Sequence, residues 1–296
     1  MKSSFKNNNY KGILYMLFAS LFFAINDAFV KYAVKLIGND SSLYDVVFVR
    51  GFIVCILIII LLIFFGKINI RNLFNDKRAY TRGFFEVLTA FAFLISLMFI
   101  PMAYVYTLLN TTPLIITAAA AIFLKERVGV RRWSAVIIGF IGVLIVVNPG
   151  DLKFDYFFIL PILSAVFLTV RDLVTKGYKD KSKSLEIIFV TSFLVTISFG
   201  IVACFYETNL SLEVLLYIII SSVTLTIAYF FSVLTILYAP LSLTSSTRYS
   251  VIVFGIILGY IFFSEIPSIN TIIGAVIISL SGLFVIQRQK KLGKIN

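Results

Sequence analysis

Long apolar runs separated by short polar connections make up most of this chain. A helix needs about 20 residues to cross a hydrocarbon core about 30 Å thick, because it rises about 1.5 Å per residue. Ten runs near or above that length predict ten transmembrane helices: Gly12–Ile37, Leu43–Phe65, Ala79–Phe99, Met102–Leu124, Trp133–Val147, Asp155–Lys176, Leu185–Phe205, Leu212–Leu237, Leu241–Phe263 and Ser268–Gln287. Because the connections are short, we expect neighbouring helices to be antiparallel.

The distribution of lysine and arginine predicts the orientation of these helices. Of the 26 basic residues, 20 fall in the tails 1–11 and 288–296, in every second connection or at the helix ends beside these connections, whereas the other connections hold only Lys153. Basic residues accumulate in cytoplasmic loops, so this asymmetry predicts that both termini are cytoplasmic. The opposite connections and the helix ends beside them carry acids instead: Asp40, Asp45, Asp151, Asp155, Glu207, Glu213 and Glu265. The basic N-terminal tail has no small-residue cleavage site, which favours a retained first helix over a signal peptide.

A second pattern divides the chain into two halves of five helices. Asp27 and Lys31 lie four residues apart in the first predicted helix, and Asp172 and Lys176 repeat that spacing 145 residues later. Residues four apart share one face of a helix, so each acid can pair with its lysine. An odd number of helices per half reverses the second half in the membrane, which predicts inverted repeats at residues 12–148 and 155–287.

The composition confines the chain to the membrane and excludes several kinds of site. The chain is 60% hydrophobic with a mean hydropathy of +1.02, values typical of polytopic membrane proteins. Its net charge of +12 comes largely from the connections and forms no basic face with interleaved aromatic residues, so no nucleic-acid partner is expected. Histidine is absent and the only cysteines, Cys55 and Cys204, lie in apolar runs. We therefore expect no metal, no cofactor and no catalysis.

Several segments resemble the EamA-type domain of the drug/metabolite transporter superfamily. They are Pro113, Lys125-Glu126-Arg127 and Gly139-Phe140-Ile141-Gly142-Val143 in the first half, and Ser245-Ser246-Thr247-Arg248-Tyr249, Phe263-Ser264-Glu265 and Gly274-Ala275 in the second. The resemblance implies an all-α integral membrane protein, a ten-helix bundle of two inverted five-helix repeats that moves small metabolites by alternating access.

A narrower resemblance is to the S-adenosylmethionine uptake branch of that superfamily. It rests on Asn26-Asp27, Lys31-Tyr32, Tyr44-Asp45-Val46, Arg50, Arg82-Gly83 and Arg248-Tyr249. Riboflavin transporters are similar at the Arg-Tyr stretch. Arg171 before Asp172 and Thr247 before Arg248 depart from both patterns, so the resemblance implies the fold more strongly than the substrate.

The ionisable residues inside the predicted helices are the candidates for a substrate-binding or gating site. A charge inside the bilayer is costly unless it faces a partner, a cavity or water, so such residues are functional candidates by default. With the polar residues beside them, the candidates are Asp27, Lys31, Arg50, Glu86, Asn110, Arg171, Asp172, Arg248 and Tyr249. The alternative for the charged pairs is that they only hold helices together.

Depth and neighbours suggest a role for some of these charges. Asp27 lies in the outer half of its helix and Asp172 in the inner half of its own, which predicts mirror depths, one toward each gate. Arg50 could pair with Asp27, bind a carboxylate or phosphate, or extend to the interface. Arg248 lies deeper and needs an acid or a polar substrate, and Glu86 is one candidate partner.

Two further motifs allow a structural or a functional role. Pro113 leaves the carbonyl of Leu109 without a backbone donor, and the hydroxyls of Thr111 and Thr112 could bond to the backbone there or contact a ligand. Gly255 and Gly259 form a GxxxG motif that suits a dimer face or close packing within the bundle. The protein is accordingly expected to be a monomer or a homodimer.

These features together predict a secondary transporter in the bacterial inner membrane, with a small-molecule substrate and the lipid bilayer as its partners. The mixed signs of the buried charges indicate a zwitterionic or cationic polar metabolite, such as S-adenosylmethionine. The alternatives are a riboflavin transporter or an amino-acid or metabolite exporter of the same superfamily, a channel, and an integral-membrane enzyme. The absence of histidine and the scatter of buried charges over several helices disfavour the enzyme.

Overall fold

The computed structural model describes residues 9–64, 77–122, 129–148, 156–176, 184–206, 210–238 and 247–291, and these residues form helices without strands. The first half contains α1 (Asn9–Ile37), α2 (Ser42–Phe64), α3 (Lys77–Phe99), α4 (Met102–Leu109), α5 (Thr112–Ile122) and α6 (Val130–Val147). The second half contains α7 (Ile159–Lys176) after a 3₁₀ turn, then α8 (Ser184–Ala203), α9 (Leu212–Tyr238), α10 (Ser250–Phe263) and α11 (Ile269–Lys291).

Eight of the described helices are long and apolar enough to cross a membrane. They correspond to eight of the ten spans that the sequence predicts. The fourth predicted span is divided into α4 and α5, and the ninth is described only from Thr247 onward, where α10 has 14 residues. The chain is therefore an all-helical, multi-pass membrane protein, and the count of ten spans stays a prediction.

The division of the fourth span lies at the polar segment before Pro113. Asn110 ends α4 with non-helical backbone angles, and α5 begins at Thr112. The hydroxyl of Thr112 donates to the carbonyl of Leu109 at 2.7 Å, and that of Thr111 donates to Leu108 at 2.7 Å. The prediction that a hydroxyl replaces the backbone donor missing at Pro113 is confirmed.

The main helix contacts join the two halves of the chain. α1 packs along α9, α3 along α7, α2 against α8, and α6 against α11. α4 lies against α10 near the middle of the bundle. Since each of these pairs takes one helix from before residue 148 and one from after residue 155, the halves form a single shared core.

The outside of the bundle is apolar and much of its polar content is inside. Large hydrophobic side chains such as Phe52, Ile63 and Ile261 are exposed, whereas Asp27, Lys31 and Arg50 are buried. This distribution suits a lipid solvent, because the hydrocarbon core offers no partners to an ionised group.

Close helix contacts inside the bundle use the glycines of the GxxxG motif. A Cβ on Gly255 would collide with the ring of Tyr106 in α4, and one on Gly259 would lie 2.9 Å from Oε2 of Glu265. Gly255 and Gly259 are buried. The alternative in which they serve packing within the bundle is therefore confirmed.

We predict that Gly255→Ala destabilises the fold, because the new methyl group must displace the buried ring of Tyr106. The free energy of unfolding should fall by about 1–3 kcal/mol, the usual cost of overpacking. Thermal unfolding in detergent, followed by size-exclusion chromatography, measures the change. Gly129→Ala is the matched control, because a methyl group added there meets no atom of the described residues within 4 Å. Equal losses in the two variants would contradict the proposed contact.

Candidate functional site

A buried ion pair joins three helices at one end of the bundle. Nζ of Lys31 in α1 lies 2.7 Å from Oε1 of Glu265, which follows α10, and it also donates to the carbonyl of Ile100 at 3.0 Å. Oε2 of Glu265 accepts from the backbone N–H of Met102, the first residue of α4, at 2.9 Å. The Lys31 side chain is 2% exposed and that of Glu265 is 14% exposed. The Lys31–Glu265 pair therefore closes the space between α1, α4 and α10.

A tight turn after α10 directs Glu265 into the bundle. Ser264 has a left-handed φ of 54°, and the N–H of Glu265 donates to the carbonyl of Gly259 at 3.1 Å. The chain thus folds back over the end of α10 in the manner of a helix C-cap. The first N–H groups of a helix need an acceptor, and Pro101 before α4 supplies no side-chain cap, so Glu265 fills that role for Met102.

This arrangement corrects the predicted pairing of Asp27 with Lys31. The sequence places Glu265 in a connection on the outer side, but the turn at Ser264 brings it to Lys31. Spacing along one helix does not reveal such a distant partner. The repeated pair at Asp172 and Lys176 is not tested, because the side chain of Lys176 lies outside the described residues.

Asp27 and Arg50 form a second buried site through a bridging amide. Nδ2 of Asn26 donates to Oδ1 of Asp27 at 2.8 Å, and Oδ1 of Asn26 accepts from Nη1 of Arg50 at 3.3 Å. The other Asp27 oxygen accepts from the hydroxyl of Tyr106 at 2.6 Å. We call Asp27, Asn26 and Arg50 the amide-bridged pair. The suggested association of Arg50 with Asp27 is therefore indirect, and Arg50 is buried rather than extended to the interface.

A third group of charges, the arginine cluster, consists of Arg82, Glu86, Arg171, Asp172 and Arg248. Arg171 is central: its Nη1 lies 2.8 Å from Oε2 of Glu86, and its Nη2 lies 2.7 Å from Oδ1 of Asp172. Arg82 approaches Glu86 at 3.8 Å. The second Asp172 oxygen faces Nη1 of Arg248 at 3.7 Å. The suggested pairing of Arg248 with Glu86 is thus wrong, because Arg171 occupies Glu86 and Arg248 meets Asp172.

The Lys31–Glu265 pair and the arginine cluster lie toward opposite ends of the bundle. Lys31 and Glu265 are near the end of α1, the start of α4 and the end of α10. The arginine cluster uses the first part of α3, the last part of α7 and the residues just before α10. Tyr229 of α9 interacts electrostatically with Arg50 of the amide-bridged pair and with Arg82 and Glu86 of the arginine cluster.

Two predicted site residues do not join these groups. Nδ2 of Asn110 donates to the carbonyl of Tyr106 at 2.8 Å, a bond within the last turn of its own helix. Tyr249 is buried and its ring packs closely against Gly282 of α11. Its hydroxyl has no hydrogen-bond partner among the residues that the structure describes.

Four residues outside the predicted set contact the predicted residues in these groups: Asn26, Arg82, Tyr106 and Glu265. By its position in the sequence Arg82 falls among the basic loop residues, but the structure places it inside α3 with a largely buried side chain. Its spacing of four residues from Glu86 was the available signal. Asn26 is next to Asp27 in the sequence, whereas nothing local marks Tyr106 as the hydrogen-bond donor to Asp27.

Neither a metal site nor the surface groove between α2 and α9 accounts for these charges. No cluster of acidic residues or cysteines suited to a metal occurs in the described part of the chain. A groove between α2 and α9 is lined by apolar atoms of residues such as Leu57 and Phe230. It lies on the exterior and takes no part in the three charged groups.

Comparison with known proteins places this arrangement in context. The sequence model of the EamA-like transporter family matches residues 10–148. The S-adenosylmethionine uptake transporter of Rickettsia prowazekii is 26% identical over 285 residues, which are 95% of this chain and 94% of that protein. The riboflavin transporter of Vibrio cholerae is 25% identical over 293 residues, 97% of each chain. The pseudopaline exporter of Pseudomonas aeruginosa is 26% identical over 289 residues, 95% of this chain and 97% of its own.

The fold also has a counterpart among solved structures. One crystal structure aligns with a TM-score of 0.62 over 95% of this chain and 98% of that chain. The sequence identity is 13%, so this likeness concerns the fold alone.

We predict that removing either charge of the Lys31–Glu265 pair destabilises the protein more than removing both. Glu265→Gln leaves a buried ammonium uncompensated and should cost about 3 kcal/mol of unfolding free energy, whereas Lys31→Met with Glu265→Gln should recover most of that loss. Thermal unfolding of the two single variants and the double variant gives the coupling energy. Lys35→Met is the control, since Lys35 lies over the same Phe263 ring but is exposed. Additive losses would show that the pair is not coupled.

Proposed function

We propose that this chain, whose residues 10–148 match the sequence model of the EamA-like transporter family, is a secondary transporter that moves a small polar metabolite across the bacterial inner membrane by alternating access. The observation that carries the proposal is the placement of charge: the Lys31–Glu265 pair and the arginine cluster lie toward opposite ends of one bundle, with the amide-bridged pair between them. A carrier needs a gate at each end and a polar site between the gates.

The two ends differ in how completely they bury their charges. Lys31 is 2% exposed, whereas Arg248 is 42% exposed and meets Asp172 at 3.7 Å. A partly exposed ion pair with a long separation contributes little stability. In a short, buried pair, losing one partner is costly because the other charge is left buried without compensation. This contrast supports a conformation that is closed at the Lys31–Glu265 end and looser at the arginine cluster.

The basic connections suggest which end faces the cytoplasm. The starts of α1 and α3 and the end of α7, which flank the arginine cluster, adjoin the lysine-rich and arginine-rich segments. By the positive-inside rule this end is cytoplasmic, as are both termini. The closed Lys31–Glu265 end then faces the outside, and the described conformation is open inward.

The helix pairing supports the proposed inverted repeat. If residues 12–148 and 155–287 are equivalent five-helix units, exchanging them turns the contact of α1 with α9 into the contact of α7 with α3. The same exchange maps the contacts of α2 with α8, α4 with α10, and α6 with α11 onto themselves. The family model matches the first of these units, and the second remains part of the proposal.

The relatives and the mixed charges guide the choice of substrate. Relatives of nearly full length are named for S-adenosylmethionine uptake, riboflavin transport and pseudopaline export. The buried residues include both cations and anions in each group, which favours a zwitterionic or cationic metabolite over a simple anion. S-adenosylmethionine is the first candidate, and riboflavin is the second because the riboflavin transporter matches over 97% of this chain.

We predict that Asp27→Asn lowers uptake of radiolabelled S-adenosylmethionine into proteoliposomes at least about tenfold without lowering expression. An amide retains the size of the side chain and can still accept from Tyr106, but it no longer supplies the negative charge for a cationic group. Asp40→Asn is the control, because Asp40 is an exposed acid in the connection after α1. Normal uptake by Asp27→Asn would remove Asp27 from the pathway. Product formation without net transfer would favour an enzyme, and flux that does not saturate would favour a channel.

A further inference from the structure

Asp27 and Arg50 are oppositely charged and buried, yet they meet through an amide and not in a direct salt bridge. Their relative exposures are 7% and 6%. Asn26 donates to the carboxylate with its nitrogen at 2.8 Å and accepts from the guanidinium with its oxygen at 3.3 Å. In the described part of the chain, no ion pair shorter than 4.0 Å links Asp27 to Arg50.

The guanidinium of Arg50 has donor capacity that the surrounding residues leave unused. Its Nε is buried and donates to no acceptor among the described residues. Its bond to Asn26 is at the long end of the hydrogen-bond range. A buried donor without an acceptor is costly, and the planar fork of arginine is suited to a carboxylate that accepts from two nitrogens. Arg50 is therefore arranged for a bidentate anionic group.

The carboxylate of Asp27 has the complementary capacity. Each of its oxygens accepts one bond, from Asn26 or from Tyr106. An ionised carboxylate has about four acceptor positions, so two remain for a donor such as an ammonium group. The carboxylate of Asp27 can therefore bind a positively charged group, and the guanidinium of Arg50 can bind a negatively charged one.

From this arrangement we infer that Asp27 and Arg50 bind the α-amino-acid head group of the substrate, with the ammonium on Asp27 and the carboxylate on Arg50. The inference rests on the proposed transport function. The head group takes over the role of the Asn26 amide, which likewise donates to Asp27 and accepts from Arg50. The ammonium nitrogen and the carboxylate carbon of an amino acid are about 2.5 Å apart, so one head group is short enough to replace one amide.

Charge balance favours a zwitterionic head group over either ion alone. Asp27 and Arg50 contribute one charge of each sign, so an anion on Arg50 would leave Asp27 without a cation, and a cation on Asp27 would leave Arg50 without an anion. A buried charge that loses its partner costs several kcal/mol in comparable sites. A zwitterion satisfies both residues and adds no net charge to the interior of the bundle.

The experiment compares two ligands that differ only in the carboxylate: S-adenosylmethionine and its decarboxylated form, which keeps the terminal amine. Their affinities for purified protein are measured by isothermal titration calorimetry in wild type, Arg50→Gln, Arg50→Lys and Asp40→Asn. The readout is the ratio of the two affinities within each variant, so a partial loss of folded protein cancels.

We expect wild type to bind the intact ligand about 10- to 100-fold more tightly, the range for hydrogen bonds to a charged group. The ratio should fall to about 1–3 in Arg50→Gln. Arg50→Lys should give an intermediate ratio, because an ammonium retains the charge but lacks the two-nitrogen fork. Asp40→Asn should keep the wild-type ratio, since Asp40 is an exposed acid in the connection after α1.

Equal affinities for the two ligands in wild type, or an unchanged ratio in Arg50→Gln, would overturn the head-group site. Binding of neither ligand would overturn it as well. Riboflavin, which has neither an ammonium nor a carboxylate, distinguishes this failure from that of the proposed function. If riboflavin is taken up into proteoliposomes and Arg50→Gln leaves the ratio of the two affinities unchanged, only the head-group site is contradicted. If none of the three compounds shows saturable uptake, the transport proposal is contradicted.

Discussion

An ionised side chain inside this bundle must face a counter-charge, water or substrate, because the lipid around the bundle offers it no partner. That constraint explains why the buried charges occur in groups and why each group joins several helices. Lys31 cannot remain buried without Glu265, and Arg171 is held between Glu86 and Asp172. The charges therefore determine which helices are held together at each end.

The same constraint makes the two ends suitable as gates. The Lys31–Glu265 pair is short, buried and reinforced by the backbone of Ile100 and Met102. The arginine cluster distributes its charges over three helical segments and ends in the loose contact of Arg248 with Asp172. Breaking one end exposes unpaired charge that only water or substrate can satisfy. Closing the other end at the same time keeps the bundle sealed, and this is the physical basis of the alternating access that we propose.

Much of the fold could be predicted from the sequence, because apolar length is a strong local signal. The helices α1, α2 and α3 lie close to the predicted spans, and of the two roles open to the hydroxyls beside Pro113, Thr112 has the bond to the backbone. The break at Asn110 was expected as a kink and is a full interruption between two helices. The number of spans depends on segments that local patterns mark less clearly.

The sequence identifies most of the charged residues of the candidate site, but it does not show which of them pair. Asp27, Lys31, Arg50 and Glu86 stand out because charge is rare in apolar runs, and all four are buried or largely buried. Pairing depends on tertiary contacts: Lys31 and Glu265 are 234 residues apart, and the turn at Ser264 that joins them has no clear signature in the sequence. Spacing along one helix suggested Asp27 as the partner of Lys31 and was wrong.

The most direct test is whether the two ends move in opposite directions when the Lys31–Glu265 pair is broken. Spin labels at Leu36 and Ile266 report on that end, and labels at Tyr80 and Val253 report on the end with the arginine cluster, in protein whose Cys55 and Cys204 have been replaced. In Glu265→Gln, double electron–electron resonance should show the Leu36–Ile266 distance lengthening while the Tyr80–Val253 distance shortens. Unchanged distances at both ends, or lengthening at both, would contradict the account.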